Sequence, residues 1–331
     1  MRLAIIGAGN IGTAMAALLA SAGLDVTVVA RGARLERIRA EGVALDDRGT
    51  LHQARVNAVE ALTEPMDAVF VTVKSQDLGA ALAANAAGIG PDTWVIPMVN
   101  GLPFWFFDQP APYTDPTGDL ARLNSERVLG AVLLMTVQTG ADGVAVSSNT
   151  PTLSLGRAAG QGGDLGPLVQ ALNAAGVRSD VTDTIRTKVL VKLLANVATN
   201  PLSALVGCSL AEIGRNEALR TIAFGIADGF RAWAKAMGYD LPPNTWLGDL
   251  LLDAGEFETS MLQDARAGRT LELDAICRAP MAMAAQMGLP MTGLKNLLAE
   301  LEKAPALPLP DAGAALKNLT SHLTHTELER I

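Results

Sequence analysis

A short apolar run, Leu3-Ala4-Ile5-Ile6, leads straight into Gly7-Ala8-Gly9-Asn10-Ile11-Gly12. Small and apolar residues then recur at helical spacing through Ser21, at Ile11, Ala14, Met15, Leu18 and Leu19. A G-x-G-x-x-G loop means little alone, but between a strand and a helix it restricts the fold sharply. There Gly7 permits a tight turn, Gly9 lets a pyrophosphate approach the backbone, and Gly12 lets helix and strand pack closely. The whole loop, with Ala8, Asn10 and Ile11, is the expected phosphate cradle at a helix N-terminus.

The same alternation continues beyond Ser21. Asp25–Ala30, Val69–Val73 and Trp94–Val99 read as buried strands, and Leu35–Ala40 and Leu78–Ala87 as helices. Short apolar strands alternating with helices predict βαβ units around a parallel sheet. Residues 102–127 read as loop, rich in proline. Val128–Gln138 and Thr152–Leu155 read as further strands that could pair antiparallel, Leu165–Ala175 as a helix, and Val177–Val181 as a last strand. From Asp183 almost everything is helix-patterned. The expected division is a dinucleotide-binding domain over 1–181 and an all-α domain over 182–331; 331 residues suffice for both.

Composition narrows the function classes. There are 26 Lys plus Arg against 34 Asp plus Glu, a net charge of −8, which is no general footprint for nucleic acid. Aromatics at 4% leave few stacking platforms for single strands. Three histidines and two cysteines, without zinc-site spacing, point to no metal. Cys208 and Cys277, isolated in apolar surroundings, suit buried thiols in a reducing compartment, so a cytoplasmic location is expected. No run of 18 consecutive apolar residues predicts a membrane span.

The end of the second strand distinguishes two dinucleotides. An NAD site usually places Asp or Glu there to accept the ribose hydroxyls. This chain has Ala30-Arg31-Gly32-Ala33-Arg34 instead. The planar fork of Arg31 suits a 2′-phosphate, so NADP(H) is expected over NAD(H). Arg34 either helps or is a solvated helix residue. Lys74 and Asn100-Gly101 each follow a strand, at the carboxyl edge where open α/β sheets bind ligands.

In the helical part, Lys192, Asn196 and Asn200 stand at i, i+4 and i+8, a spacing that drifts only about 40° per step around a helix. They form a polar stripe flanked by Leu193, Leu194, Val197 and Ala198. Such a stripe is either a solvated face or a half-buried functional one. Pro201 should end or kink the helix near Asn200. Farther on, Ser260 lies in a helical pattern and Glu272 near a helix start, where an acid can simply complement the dipole. Phe104-Trp105-Phe106-Phe107 is the odd cluster, either a hydrophobic plug or a wall over a ligand.

Taken together, GAGNIG, Arg31, VTVKS with Lys74, VNGL with Asn100, KLLANVATNPLSAL and SMLQDARAGRTLELD resemble the ketopantoate reductase family. The resemblance covers most of the chain. It implies a Rossmann domain followed by a helical domain, with the active site in the cleft between them, NADP(H) as cofactor, and a 2-keto acid, 2-dehydropantoate, reduced in pantothenate synthesis. It makes Lys192 the general acid, with Glu272 near it and the nicotinamide ribose. Asn196, Asn200 and Ser260 take substrate-binding positions, Asn100 the cofactor–substrate junction, and Lys74 a place near the cofactor. Helical domains of such reductases often pair, so a homodimer is compatible with it. Three departures stand out: Leu190 where an aromatic is frequent, the region of Leu210 where an Asn is common, and LPFWFF after Asn100-Gly101. The last motivates a second reading, a reductase of another 2-keto or β-keto acid. A third is an NADP(H)-binding sensor without turnover.

Overall fold

The structure, a computed structural model, describes residues 1–109, 111–140, 144–160 and 162–328, with side chains through Ser321. The side chains of His322 and His325 thus lie outside the described residues. The chain divides into two compact units. The first comprises Met1–Val99, Pro103–Pro110 and Asp115–Arg186; the second comprises Asn100–Leu102, Ala111–Thr114 and Thr187–Ile331.

The first unit runs β1 (Arg2–Ile6), α1 (Asn10–Ser21), β2 (Asp25–Val29), α2 (Gly32–Glu41), β3 (Val43–Asp47), β4 (Thr50–Ala54), β5 (Asn57–Val59), β6 (Ala68–Val71), α3 (Leu78–Ala84) and β7 (Trp94–Pro97). It continues through β8 (Leu129–Leu134), β9 (Val137–Thr139), β10 (Ala145–Ser147), β11 (Thr152–Arg157), α4 (Gly166–Ala174) and β12 (Arg178–Val181). The main sheet has the order β5-β2-β1-β6-β7, all parallel. β1 is central and fully buried beyond Arg2, as a parallel strand covered on both faces must be. The chain leaves β1 toward β2 and returns on the other side at β6. The order therefore reverses between β1 and β6, where ligands bind in such sheets.

Side chains at that point explain the glycines. Thr72 Oγ1, just after β6, donates to the carbonyl of Gly7 at 2.7 Å and to that of Ile6 at 3.2 Å. A Cβ on Gly12 would collide with the Gly7 carbonyl oxygen and lie 2.5 Å from Thr72 Oγ1. Gly7 itself has φ +105°, a conformation that favours glycine. A Cβ on Gly9 would meet nothing within 4 Å. Two of the three glycines serve the fold, and the third borders open space.

Several expectations from sequence need correction. β3 and β4 form a hairpin absent from the expected strands, although Asp47-Arg48-Gly49-Thr50 carries its signal: Arg48 and Gly49 have φ of 52° and 86°, as a two-residue primed turn requires. β10 joins the same sheet, in the order β4-β3-β10-β9. The expected strand Val128–Gln138 is two strands in two sheets. Asn149 causes the break, its Oδ1 accepting from the N–H of Thr136 at 2.7 Å and from its hydroxyl at 2.8 Å. β8 does pair antiparallel with β11. The helix begun at Leu78 stops at Ala84, where the Asn85 side chain turns inward to donate to Ala81 O and accept from Leu62 N–H.

The second unit is helical: α5 (Ile185–Val206, whose first two residues belong to the first unit), α6 (Leu210–Arg215), α7 (Glu217–Ala236), α8 (Asn244–Asp253), α9 (Ser260–Arg266), a π-helical turn (Asp274–Arg278), α10 (Ala279–Gln286), α11 (Thr292–Lys303) and α12 (Gly313–Leu328). α7 buries Leu219, Ile222, Ala223, Ile226, Ala227, Phe230, Trp233 and Ala234 along one face and packs against α6, α8, α11 and α12. α5 continues as one helix through Pro201, so the expected end near Asn200 does not occur. Burial overrides propensity there, because Leu202, Ala204 and Leu205 are fully buried beyond the proline. α5 is long and apolar enough to cross a membrane, with a mean hydropathy of 1.5, but 72% of that window is buried inside the protein. Cys208 and Cys277 are buried free thiols; burial pushes Cys208 up to about 12 and Cys277 higher still.

The glycines make a testable contrast. Gly12→Ala should destabilise the protein by about 1–3 kcal/mol through overpacking. Gly9→Ala should stay within about 0.5 kcal/mol of the parent. Urea denaturation of both variants measures the difference.

Candidate functional site

The phosphate end is built entirely within the first unit. α1 begins at Asn10 with Gly9 as its N-cap, and no side chain caps it, so its first N–H groups stay available to an anion. Open space over Gly9 adjoins them. This fits a pyrophosphate: the backbone is approachable where a ligand would lie and closed where the fold needs contact. Asn10 Oδ1 accepts from Thr139 Oγ1 at 3.0 Å, which fixes the first residue of the helix. Ala8 and Ile11 stand on the same turn, and Ile11 packs against the core.

Arg31 and Arg34 play different parts. Arg31 is exposed, at the N-cap of α2, without a hydrogen-bond or ion-pair partner among the described residues. Arg34 is half-buried and occupied. Its Nε donates to the Ala8 carbonyl at 3.0 Å and its Nη2 to Thr13 Oγ1 at 2.6 Å. Thr13 Oγ1 in turn donates to Ala8 O at 3.2 Å. Burial, and then Arg37, lower the Arg34 pKa from its ordinary value, while Glu41 opposes them. Arg34 is thus no freely solvated helix residue: it is a strut between the glycine loop and α2. Lys74 stands at the N-cap position of the 3-10 turn Ser75–Asp77 after β6, where its backbone carbonyl accepts from Asp77 N–H at 2.9 Å.

The polar stripe lies within the second unit. Lys192, Asn196 and Asn200 all fall on the continuous helix α5, the first two half-buried and Asn200 buried. Burial lowers the Lys192 ammonium to about 8, and the charge of Glu272 opposes that shift. Asn196 has no hydrogen-bond partner among the described residues. The Asn200 backbone carbonyl accepts from Ser203 Oγ at 3.1 Å, and its Oδ1 lies 3.4 Å from Thr199 Oγ1. Its Nδ2 has no acceptor among the described residues.

Ser260 is brought to this helix by its neighbour. Thr259 caps α9, its Oγ1 accepting from Leu262 N–H at 3.2 Å and sharing a 2.5 Å hydrogen bond with Ser203 Oγ of α5. Ser203 thus links the Asn200 turn to the start of α9, leaving the adjacent Ser260 exposed. Upstream, Gly255 and Phe257 carbonyls accept from the first N–H groups of α6, which anchors that segment. Asn100 enters the same unit with Gly101 and Leu102. Leu102 N–H donates to the carbonyl of Ala275 at 2.8 Å, three residues past Glu272. Lys192, Glu272, Asn100, Asn196, Asn200 and Ser260 therefore share one unit, while the glycine loop, Arg31 and Lys74 share the other.

The aromatic cluster is a plug within the first unit. Phe104, Trp105 and Phe106 are buried, and only Phe107 is half-exposed. Gly130 leaves room for the Trp105 ring, and Arg186 donates to the Phe106 and Ala158 carbonyls at 2.9 and 3.0 Å with its guanidinium 5.8 Å from the Trp105 ring centroid. Among the described residues, no group of three or more His, Cys, Asp or Glu could hold a metal.

The family model described as ketopantoate reductase PanE/ApbA matches residues 3–160, and its C-terminal counterpart matches residues 184–304. The chain belongs to the ketopantoate reductase family. Relatives agree with this across nearly the whole length. A 2-dehydropantoate 2-reductase of Mesorhizobium japonicum is 36% identical over 84% of this chain and 90% of its own. One from Archaeoglobus fulgidus is 27% identical over 90% and 95%. The crystal structure of 2-dehydropantoate 2-reductase from Geobacter metallireducens superposes with a TM-score of 0.80 at 26% identity, covering 92% of this chain and 99% of that one. Ketopantoate reductases are oxidoreductases, and the parallel sheet followed by a helical domain is the fold of this family.

In this member of the ketopantoate reductase family, sequence reasoning missed the supporting roles of Arg34, Thr13, Thr72, Ser203, Thr259 and Gly101. The Thr13–Arg34 pair could have been suspected only by knowing that α2 packs beside the loop. Arg34→Ala should weaken NADPH and NADH binding to the same extent, by about two- to tenfold, because it loosens the loop common to both. Dinucleotide fluorescence titration checks this, and an effect confined to one nucleotide would contradict the strut.

Proposed function

We propose that the protein reduces 2-dehydropantoate to pantoate with NADPH, a step of pantothenate synthesis carried out in the cytoplasm. The observation that carries the reading is the Lys192 ammonium, lowered by burial to about 8 and held up by Glu272 on the unit that also bears the amide stripe. An acid with a pKa near working pH is the group a carbonyl reduction requires.

The glycine loop and the N-terminus of α1 would hold the pyrophosphate, Arg31 the 2′-phosphate, and Lys74 would lie near them. When bound, the dinucleotide supplies a hydride to the keto carbon. Lys192 Nζ donates the proton to the keto oxygen as negative charge develops there. Glu272 keeps that ammonium charged in a half-buried setting that favours the neutral amine. The amides of Asn196 and Asn200 and the hydroxyl of Ser260 offer donors and acceptors to a hydroxylated acid without adding charge. Asn100 serves where cofactor and substrate meet. Burial of Phe104, Trp105 and Phe106 against Gly130 and Arg186 weakens the motive for an aryl-substituted substrate. The two buried, isolated thiols support a reducing compartment.

Comparing kcat/KM across a panel of 2-keto and β-keto acids with NADPH tests the substrate. The highest value is expected for 2-dehydropantoate, and greater activity with an aryl or branched keto acid would overturn that choice. Binding of NADPH without any turnover would instead leave a sensor. Arg31→Ala should lower the NADPH-over-NADH preference at least about tenfold by removing charge-assisted hydrogen bonds.

The pH dependence has a definite sign. Lys192 acts protonated, so kcat/KM should be level below about 8 and fall as pH rises through it. Glu272→Gln removes the charge that raises the lysine, so the alkaline limb should move to lower pH. A limb that stays in place would contradict the pairing.

A further inference from the structure

Ala275 lies in the π-helical turn Asp274–Arg278, just past Glu272. The hydrogen-bond register there leaves one carbonyl over. Ala279 N–H, which in an α-helix would serve the Ala275 carbonyl, donates instead to Asp274 O, an i+5 bond. The next i+5 donor, the one aimed at Ala275 O, would be residue 280, and that is proline. Proline has no N–H to give. The orphaned carbonyl is buried with its residue, so it needs a donor from elsewhere. It finds Leu102 N–H at 2.8 Å.

Gly101 makes the approach possible. Its φ is +96°, and a Cβ there would lie 2.5 Å from the Ala275 carbonyl carbon and 2.7 Å from the Ala275 Cβ. The backbone of Asn100–Leu102 is thus seated directly on the π turn.

We propose that Pro280 is a positioning residue: by withholding an N–H it frees the Ala275 carbonyl to anchor Leu102, and so fixes Asn100 in register with Glu272. This rests on the reductase reading for the value of that register, since Asn100 and Glu272 are the residues it brings together. An ordinary residue at 280 would close the i+5 ladder onto Ala275 O and compete with Leu102. π-helical turns are frequent at functional sites, and here the turn is useful because it leaves a carbonyl to spare.

The test is amide hydrogen exchange on the full-length protein, comparing the parent with Pro280→Ala, which restores the competing N–H. Exchange at Leu102 should quicken about tenfold, the scale of one lost hydrogen bond. With 2-dehydropantoate, kcat/KM should fall several-fold. The alkaline limb set by Lys192 and Glu272 should hold steady. Loss of thermal stability with Leu102 exchange and kcat/KM both unchanged would show a merely structural proline and overturn the proposal. Gly101→Ala is the second variant. It pushes the same segment off the turn with Pro280 intact, and should reproduce both changes. Exchange needs no substrate, so failure of the anchor is read separately from failure of the reductase reading, which shows as no keto-acid turnover by the parent.

Discussion

Lys192 carries an ammonium in a polar stripe flanked by buried apolar residues of α5, and the cost of that placement is the constraint the candidate site must meet. Burial lowers the ammonium to about 8, and a lysine pushed much further would be neutral at working pH. Glu272 limits the fall. For the carboxylate to act, its segment must be held in place, and the π turn beyond it does so while anchoring Asn100–Leu102. The continuation of α5 through Pro201 keeps Lys192, Asn196, Asn200 and Ser203 on one continuous helix, and Ser203 ties that helix to the start of α9 through Thr259. The stripe is therefore a set of groups held on one element, as the proposed proton donation by Lys192 would need.

The first unit solves a different problem, bringing a polyanion close to backbone without exposing the core. Gly7 and Gly12 are consumed by close packing at the reversal of strand order, with Thr72 bridging β6 to the loop. Only Gly9 of the three borders open space. Arg34 holds the loop from behind by its Ala8 and Thr13 contacts, which leaves Arg31 as the exposed cation at the end of β2. Of two arginines three residues apart, one is hydrogen-bonded to the loop and the other is exposed.

Much of this is legible in the sequence because its causes are local. The strand, glycine loop and helix succeed one another within about twenty residues, and the i, i+4, i+8 spacing of the stripe is a property of one helix. The features that escape a sequence reading depend on distant partners. The break between β8 and β9 comes from Asn149, and the survival of α5 past Pro201 comes from burial of Leu202 and Leu205. The seating of Gly101 on Ala275 joins positions far apart in the chain, with no local pattern to announce it. Phe104–Phe107 resembles a ligand wall because aromatics are scarce, yet three of the four are packed into the first unit with Arg186 across their carbonyls. The hairpin at Arg48-Gly49 has a local signal in its turn, but its strands are short and partly polar, which hides the alternation that marks a strand.

The role of Lys192 is tested most directly by the NADPH-dependent reduction of 2-dehydropantoate by Lys192→Ala, with NADPH binding measured on the same preparation. A general acid contributes about 10²- to 10⁴-fold, so kcat should fall by that factor while the NADPH Kd stays at the parent value. A variant that retains full kcat would contradict the assignment of the proton to Lys192, and with it the reason for the half-buried ammonium.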